Sequence, residues 1–189
     1  MRPSGLGPLL DAALTELSDL HPALVMDRRS SFEPMEAAGL RIFFHWPPAV
    51  ARAVSRGAVG GVLTTFTNRG SGESPLEWIA VSRVAILYEN AESARDASER
   101  LAEWLPSALI ADPSIGEVDR AAPEPFGADV LWCLRGSHQP SSGGAQRRAD
   151  IGWLNSCVIA CVVAFADFDP LNLCLATAGR MNADMERIA

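Results

Sequence analysis

Ala149-Asp-Ile-Gly-Trp-Leu-Asn-Ser-Cys-Val-Ile-Ala-Cys-Val-Val-Ala-Phe-Ala166 is the most apolar stretch of the chain, and how it is read decides the fold. Its uncharged part, Ile151–Ala166, carries Asn155 and Ser156 and ends against Asp167. A membrane helix needs about 18 or more apolar residues without such interruptions, so a buried strand pair explains the stretch better. The valines and isoleucines favour strand over helix. Ala149–Leu154 and Ser156–Ala166 read as a hairpin turning at Asn155-Ser156, since Asn tolerates the positive φ of a type I′ turn; one continuous bulged strand is the alternative.

Outward from this stretch the elements alternate. Asp129–Arg135 reads as a strand, and Gly136–Gly144, rich in Gly, Ser and Pro, as a mobile loop. Downstream, Asp169 caps a helix with Pro170 in its first turn. Leu171, Leu175, Ala178, Met181, Met185 and Ile188 then recur at spacings of 3 and 4, with Asn172, Arg180, Asn182, Asp184 and Glu186 off the stripe. A weaker copy of this plan lies upstream. Val62–Thr67 is a strand, Asn68–Pro75 a loop, and Glu77–Glu89 a strand with a bulge near Ser82. Asn90 caps a helix with the apolar stripe Ala94, Ala97, Leu101, Trp104 and Leu105, whose length Pro106 limits. Two strand–strand–helix halves, 40–105 and 126–189, are thus joined by the proline-rich segment 106–125, which reads as a surface crossover. Sequence identity between the halves is very low, so the repeat is one of pattern.

The N-terminal third is less regular. Leu9 to Leu24 has helical spacing and ends near His21-Pro22. Leu40–Trp46 is an aromatic strand candidate, Ala49–Ser55 a helix with Pro48 in its first turn, and Gly57, Gly60 and Gly61 break the pattern. Strands ahead of one-sided helices imply an α+β fold, a two-layer sandwich with an antiparallel or mixed sheet covered by helices, in a single domain spanning 1–189.

Composition narrows the partners. The chain has 189 residues, a net charge of −7, and 16 basic residues that are all arginine. The absence of lysine alongside abundant Ala, Gly and Pro points to GC-rich coding, as in a high-GC bacterium. The arginines are scattered, with only Arg28-Arg29 and Arg147-Arg148 adjacent, so no basic footprint for nucleic acid forms. The N-terminus lacks the apolar core of a secretory signal, which leaves the cytoplasm as the expected location.

The chemistry-bearing residues make no recognisable constellation. Cys157 and Cys161 would lie about 13 Å apart on one strand, too far for a disulfide, and no metal-ligand spacing accompanies them. Cys133, Cys157, Cys161 and Cys174 read as four small core residues, with Cys133–Cys157 or Cys161–Cys174 bridges as the alternative. His21, His45 and His138 complete the nucleophile–base options, and His138, in its loop, is the histidine expected to be exposed. Glycine clusters at 57–61 and 70–72 lack the order of a phosphate cradle, so no cofactor motif is present. Five tryptophans are many for this length. Most should be core, but Trp46, Trp132 and Trp153, together with His138, are the candidate ligand-binding residues of an apolar pocket between sheet and helices. The leading expectation is a non-enzymatic domain that binds a small apolar molecule or a protein partner, including self-association as a homodimer. A small hydrolase or transferase with a Cys or Ser nucleophile and a histidine is the alternative.

Overall fold

A computed structural model describes residues 22–32, 44, 46–68, 78–122, 126–139 and 145–187. Among them seven strands and three helices follow in the order β1 (Leu24–Phe32), α1 (Pro48–Ser55), β2 (Ala58–Asn68), β3 (Ile79–Tyr88), α2 (Ala91–Ile110), β4 (Ile115–Arg120), β5 (Asp129–His138), β6 (Gln146–Asn155), β7 (Val158–Ala166) and α3 (Leu171–Glu186). The strands form one sheet in the order β1-β2-β3-β7-β6-β5-β4, with every pair antiparallel. The fold is α+β. No helix among the described residues is long and apolar enough to cross a membrane.

The apolar stretch is indeed the hairpin, but its turn falls one residue later than the spacing suggests. Asn155 pairs with Val158, so Ser156 and Cys157 form the two-residue loop, and Ser156 takes the positive φ of 54°. The reason is register: the ladder keeps Trp153 opposite Ala160 and Ile151 opposite Val162, with all four side chains buried. Burial on the two faces outweighs the local preference of Asn for the left-handed region.

Every residue of β7 is buried, and its side chains alternate between two apolar clusters. Ile159, Cys161, Val163 and Phe165 join the cluster that contains α1 and α2, while Val158, Ala160, Val162, Ala164 and Ala166 join the one that contains α3. Helices therefore contribute to both faces, where the sequence suggested a two-layer arrangement. β3 and β7 lie side by side in the middle of the sheet, but α2 and α3 belong to different clusters, so the two halves do not repeat the placement of their helices.

The first two helices start where their signals place them: Pro48 occupies the first turn of α1, and Asn90 accepts from the Ser93 N–H at 2.8 Å. The third starts one residue later than expected, with Pro170 in the cap position and Asp169 before it, its carboxylate accepting from the Leu171 N–H at 3.1 Å. Several expectations are corrected. α2 runs through Pro106, whose ring is buried, and ends only at Ile110. Trp104 is 48% exposed, so the inward stripe continues through Leu105 and Leu109 instead. β3 carries no bulge at Ser82, which pairs in register with Thr65 and lies 3.2 Å from its hydroxyl. Asn182 and Asp184 are buried although they were read as off the stripe. The proline-rich connection holds an edge strand, β4, and β1 begins where the first helix was expected to end. The expected helix up to residue 21 and most of the 40–46 strand candidate lie outside the described residues.

Gly152 has a specific packing role. It stands opposite Trp132 in the β5–β6 register, and the indole lies across it so closely that any Cβ there would run into the ring. Gly152→Ala should therefore lower stability by about 1–3 kcal/mol through overpacking. Urea unfolding with near-ultraviolet circular dichroism checks this; an unchanged midpoint would show that the indole does not rest on this glycine.

Candidate functional site

The α2 face of β6 presents Arg148, Asp150 and Gly152 where neighbouring strands present apolar side chains. Arg148 is 3% and Asp150 1% exposed, and their ion pair is 2.7 Å long. Arg148 also donates to the Phe44 carbonyl at 3.0 Å, and its guanidinium lies 5.4 Å from the Phe165 ring centroid. The other Asp150 oxygen accepts from the Trp132 indole N–H at 2.9 Å. Trp46 meets Trp132 edge-on with centroids 6.2 Å apart, and both are buried. A buried pair of this kind is held by its hydrogen bonds, since desolvation otherwise offsets the attraction.

His138 belongs to the same face. It is 5% exposed, at the end of β5, and stands edge-on to Phe165 at 5.5 Å, so the expectation of an exposed loop histidine is corrected. The strand runs three residues further than the Gly/Ser pattern implies because His138 finds cover under this ring and pairs with Ile115. Residues 140–144 of that loop lie outside the described residues. Burial, then the nearby Arg148 charge, lowers the His138 pKa below its usual 6.5. The Ser114 hydroxyl donates to Asp112 at 2.7 Å.

Trp153 lies on the opposite face. It is fully buried, donates to Asn182 Oδ1 at 3.1 Å and packs edge-on against Phe126 at 5.4 Å. The structure thus brings Trp46, Trp132 and His138 to the α2 side and places Trp153 with α3, so the four do not line one pocket. Trp132 does line a small pocket of about 210 Å³ between α2, β4 and β5, with Pro106 and Arg120. The cysteines are all free, and Cys161 and Cys174 lie in different clusters with the sheet between them. Burial raises the Cys133 pKa to about 11 and those of Cys161 and Cys174 well above the usual thiol value, which works against a thiolate nucleophile at any of the three. His21 and His45 lie outside the described residues. No group of residues suited to a metal ion occurs among those described.

A larger cleft, of about 480 Å³, is lined by β4, β5, β6 and the segment after β7. Val118 packs on the α2-side cluster, so Glu117 and Asp119, its strand neighbours, turn to the other side. Arg135 and Arg147 share that side with Cys133 and Ala149 of the α3 cluster. Asp167 and Asp169 close one end. Gly136 permits the approach of β4, since a Cβ there would sit 2.6 Å from the Glu117 carbonyl oxygen.

The charges in this cleft are unevenly partnered. Asp167 accepts from the Trp78 N–H at 2.9 Å, and Asp169 accepts from the Leu171 N–H at 3.1 Å while standing 4.0 Å from Arg135. Glu117, Asp119 and Arg147 have no ion-pair partner among the described residues. The sequence does not signal the cleft: in it Arg147 stands out only as part of an adjacent pair, and the alternation of Glu117, Val118 and Asp119 is the one strand signal for β4.

Neither a family model nor a curated protein matches this chain. In fold it is similar to the extracellular domain of PknH from Mycobacterium tuberculosis, with a TM-score of 0.61 over 95% of this chain and 96% of that one. The two sequences are 10% identical, so the likeness is one of fold.

Removing Asp150 tests the buried pair. Asp150→Ala leaves the Arg148 charge uncompensated and should cost about 3–5 kcal/mol, whereas the double variant Arg148→Met/Asp150→Leu should recover much of the loss. Chemical unfolding of both variants decides it; a single variant as stable as the parent would contradict the arrangement.

Proposed function

We propose that this chain is a non-enzymatic small-molecule-binding domain whose ligand occupies the charged cleft between β4 and the start of α3. One observation carries the reading: a cleft of about 480 Å³ in which Glu117, Asp119 and Arg147 stand without an ion-pair partner among the described residues. Its size falls within the roughly 300–1,000 Å³ usual for ligand sites. Like charges on neighbouring strands destabilise a sheet unless something meets them, and Arg135 and Arg147 are diagonal neighbours across β5 and β6. The polar lining moves the reading away from the apolar ligand suggested by the tryptophans, two of which pack against each other and a third against Phe126. The buried, high-pKa thiols weigh against the hydrolase or transferase alternative.

The cytoplasm remains the proposed location, supported by four unbridged cysteines, which suit a reducing compartment. One neighbour in fold is an extracellular domain, and the thiol count of natively isolated protein separates the two locations.

The reading is tested by amide chemical-shift mapping of the full chain against a library of small charged molecules. Binders should shift residues 117–119, 135–136, 147–148 and 167–169 together, and Arg147→Gln should weaken binders of the anionic class. A library in which no molecule shifts this set, with binders collecting elsewhere or not at all, would sink the proposal.

A further inference from the structure

Resting on the cleft reading above, we infer that the ligand is a zwitterion of the amino-acid type, a free amino acid or short peptide carrying both an ammonium and a carboxylate. The two signs of unpartnered charge stand on opposite sides of the cleft. Glu117 and Asp119 lie on β4, Arg147 lies on β6, and β5 runs between them. Adjacent strands are about 4.8 Å apart, so the two rows are separated by roughly 10 Å at the backbone. Glutamate and arginine side chains reaching inward from either row reduce that gap to the separation of amine and carboxylate in a small zwitterion.

Arg135, on the middle strand, is the shared wall. Asp169 stands 4.0 Å from it, so its charge is already partly answered. Asp167 and Asp169 are committed to the Trp78 and Leu171 N–H groups. What remains for a ligand is one guanidinium and two carboxylates. A simple anion at Arg147 would face the four acidic side chains that line the same cleft, and a simple cation at Glu117 would face Arg135 and Arg147. A molecule with both charges meets each with its opposite, and a site with unpaired groups rejects analogues that lack either one. The carboxylate would take the Arg147 fork in a bidentate contact, and the ammonium would donate to Glu117 and Asp119.

Calorimetry and amide shift mapping with the common L-amino acids and dipeptides test this on the full chain. The comparison compounds are the same molecules without the amino group, the same molecules with the carboxylate amidated, and inorganic phosphate. The zwitterions should bind at the cleft, and loss of either charge should weaken binding about ten-fold or more. In Arg147→Gln the amidated compounds should bind as well as the acids. In Glu117→Gln/Asp119→Asn the deaminated compounds should bind as well as the parents. All of these side chains are exposed, so the variants should retain the parent circular dichroism spectrum. If phosphate or deaminated carboxylates bind the cleft of the parent protein as tightly as amino acids, the zwitterion inference is overturned while the cleft stands. If charged molecules of other kinds shift the cleft residues and no zwitterion does, the inference falls in the same way. If nothing shifts them, the cleft reading falls with it.

Discussion

The constraint on which the structure depends is that β7 has no exposed side chain. A strand buried on both faces needs apolar cover on each, and a chain of alternating Val, Ile, Ala, Cys and Phe can only be satisfied by a sheet with packing on two sides. α1 and α2 supply one side and α3 the other. β3 and β6, which flank β7, inherit the same demand, and their buried runs show it. Burying a side chain of this kind contributes about 1.5–3 kcal/mol, so the β3–β7–β6 centre is where stability concentrates.

That centre also encloses polar side chains, each with at least one partner, although Arg148 leaves its Nε and Nη1 without a hydrogen bond among the described residues. Arg83, fully buried on β3, donates to the Thr64 hydroxyl at 2.7 Å and stacks on Phe66 at 4.9 Å. Arg148 and Asp150 answer each other, and Asn182 ties α3 to Trp153 and Asn155 on β6. Tyr88 donates to the Val54 carbonyl at 2.7 Å, which anchors α1 to the end of β3, and burial raises its pKa. Such contacts cost more when half made than they contribute when complete, and they favour one register over its neighbours. Toward β4 the demand for burial relaxes: Glu117, Asp119, Arg135 and Arg147 are all exposed, and the cleft occupies this edge.

What could be read from the residues followed the same gradient. The hairpin of β6 and β7 was legible because its valines and isoleucines have no polar alternative, and Asn90 and Pro48 marked helix starts by their own chemistry. β4 was not legible, because an edge strand with Glu117, Asp119 and Arg120 reads as a solvated connection. Pro106 misled because its ring, on the buried side of α2, is covered, and that burial outweighs the missing N–H. His138 misled because Gly136 and Ser137 read as loop while pairing with β6 keeps them extended. The cleft draws on four separate segments, so no local pattern signals it, and its arginines look like members of a scattered set.

Native-state hydrogen exchange tests the central claim, that a centre buried on both faces supports an open charged edge. Amides of β7 and of its partners in β3 and β6 should exchange slowest, only through global unfolding, while β4 exchanges fastest among the described strands. Exchange in β7 as fast as in β4 would contradict the account.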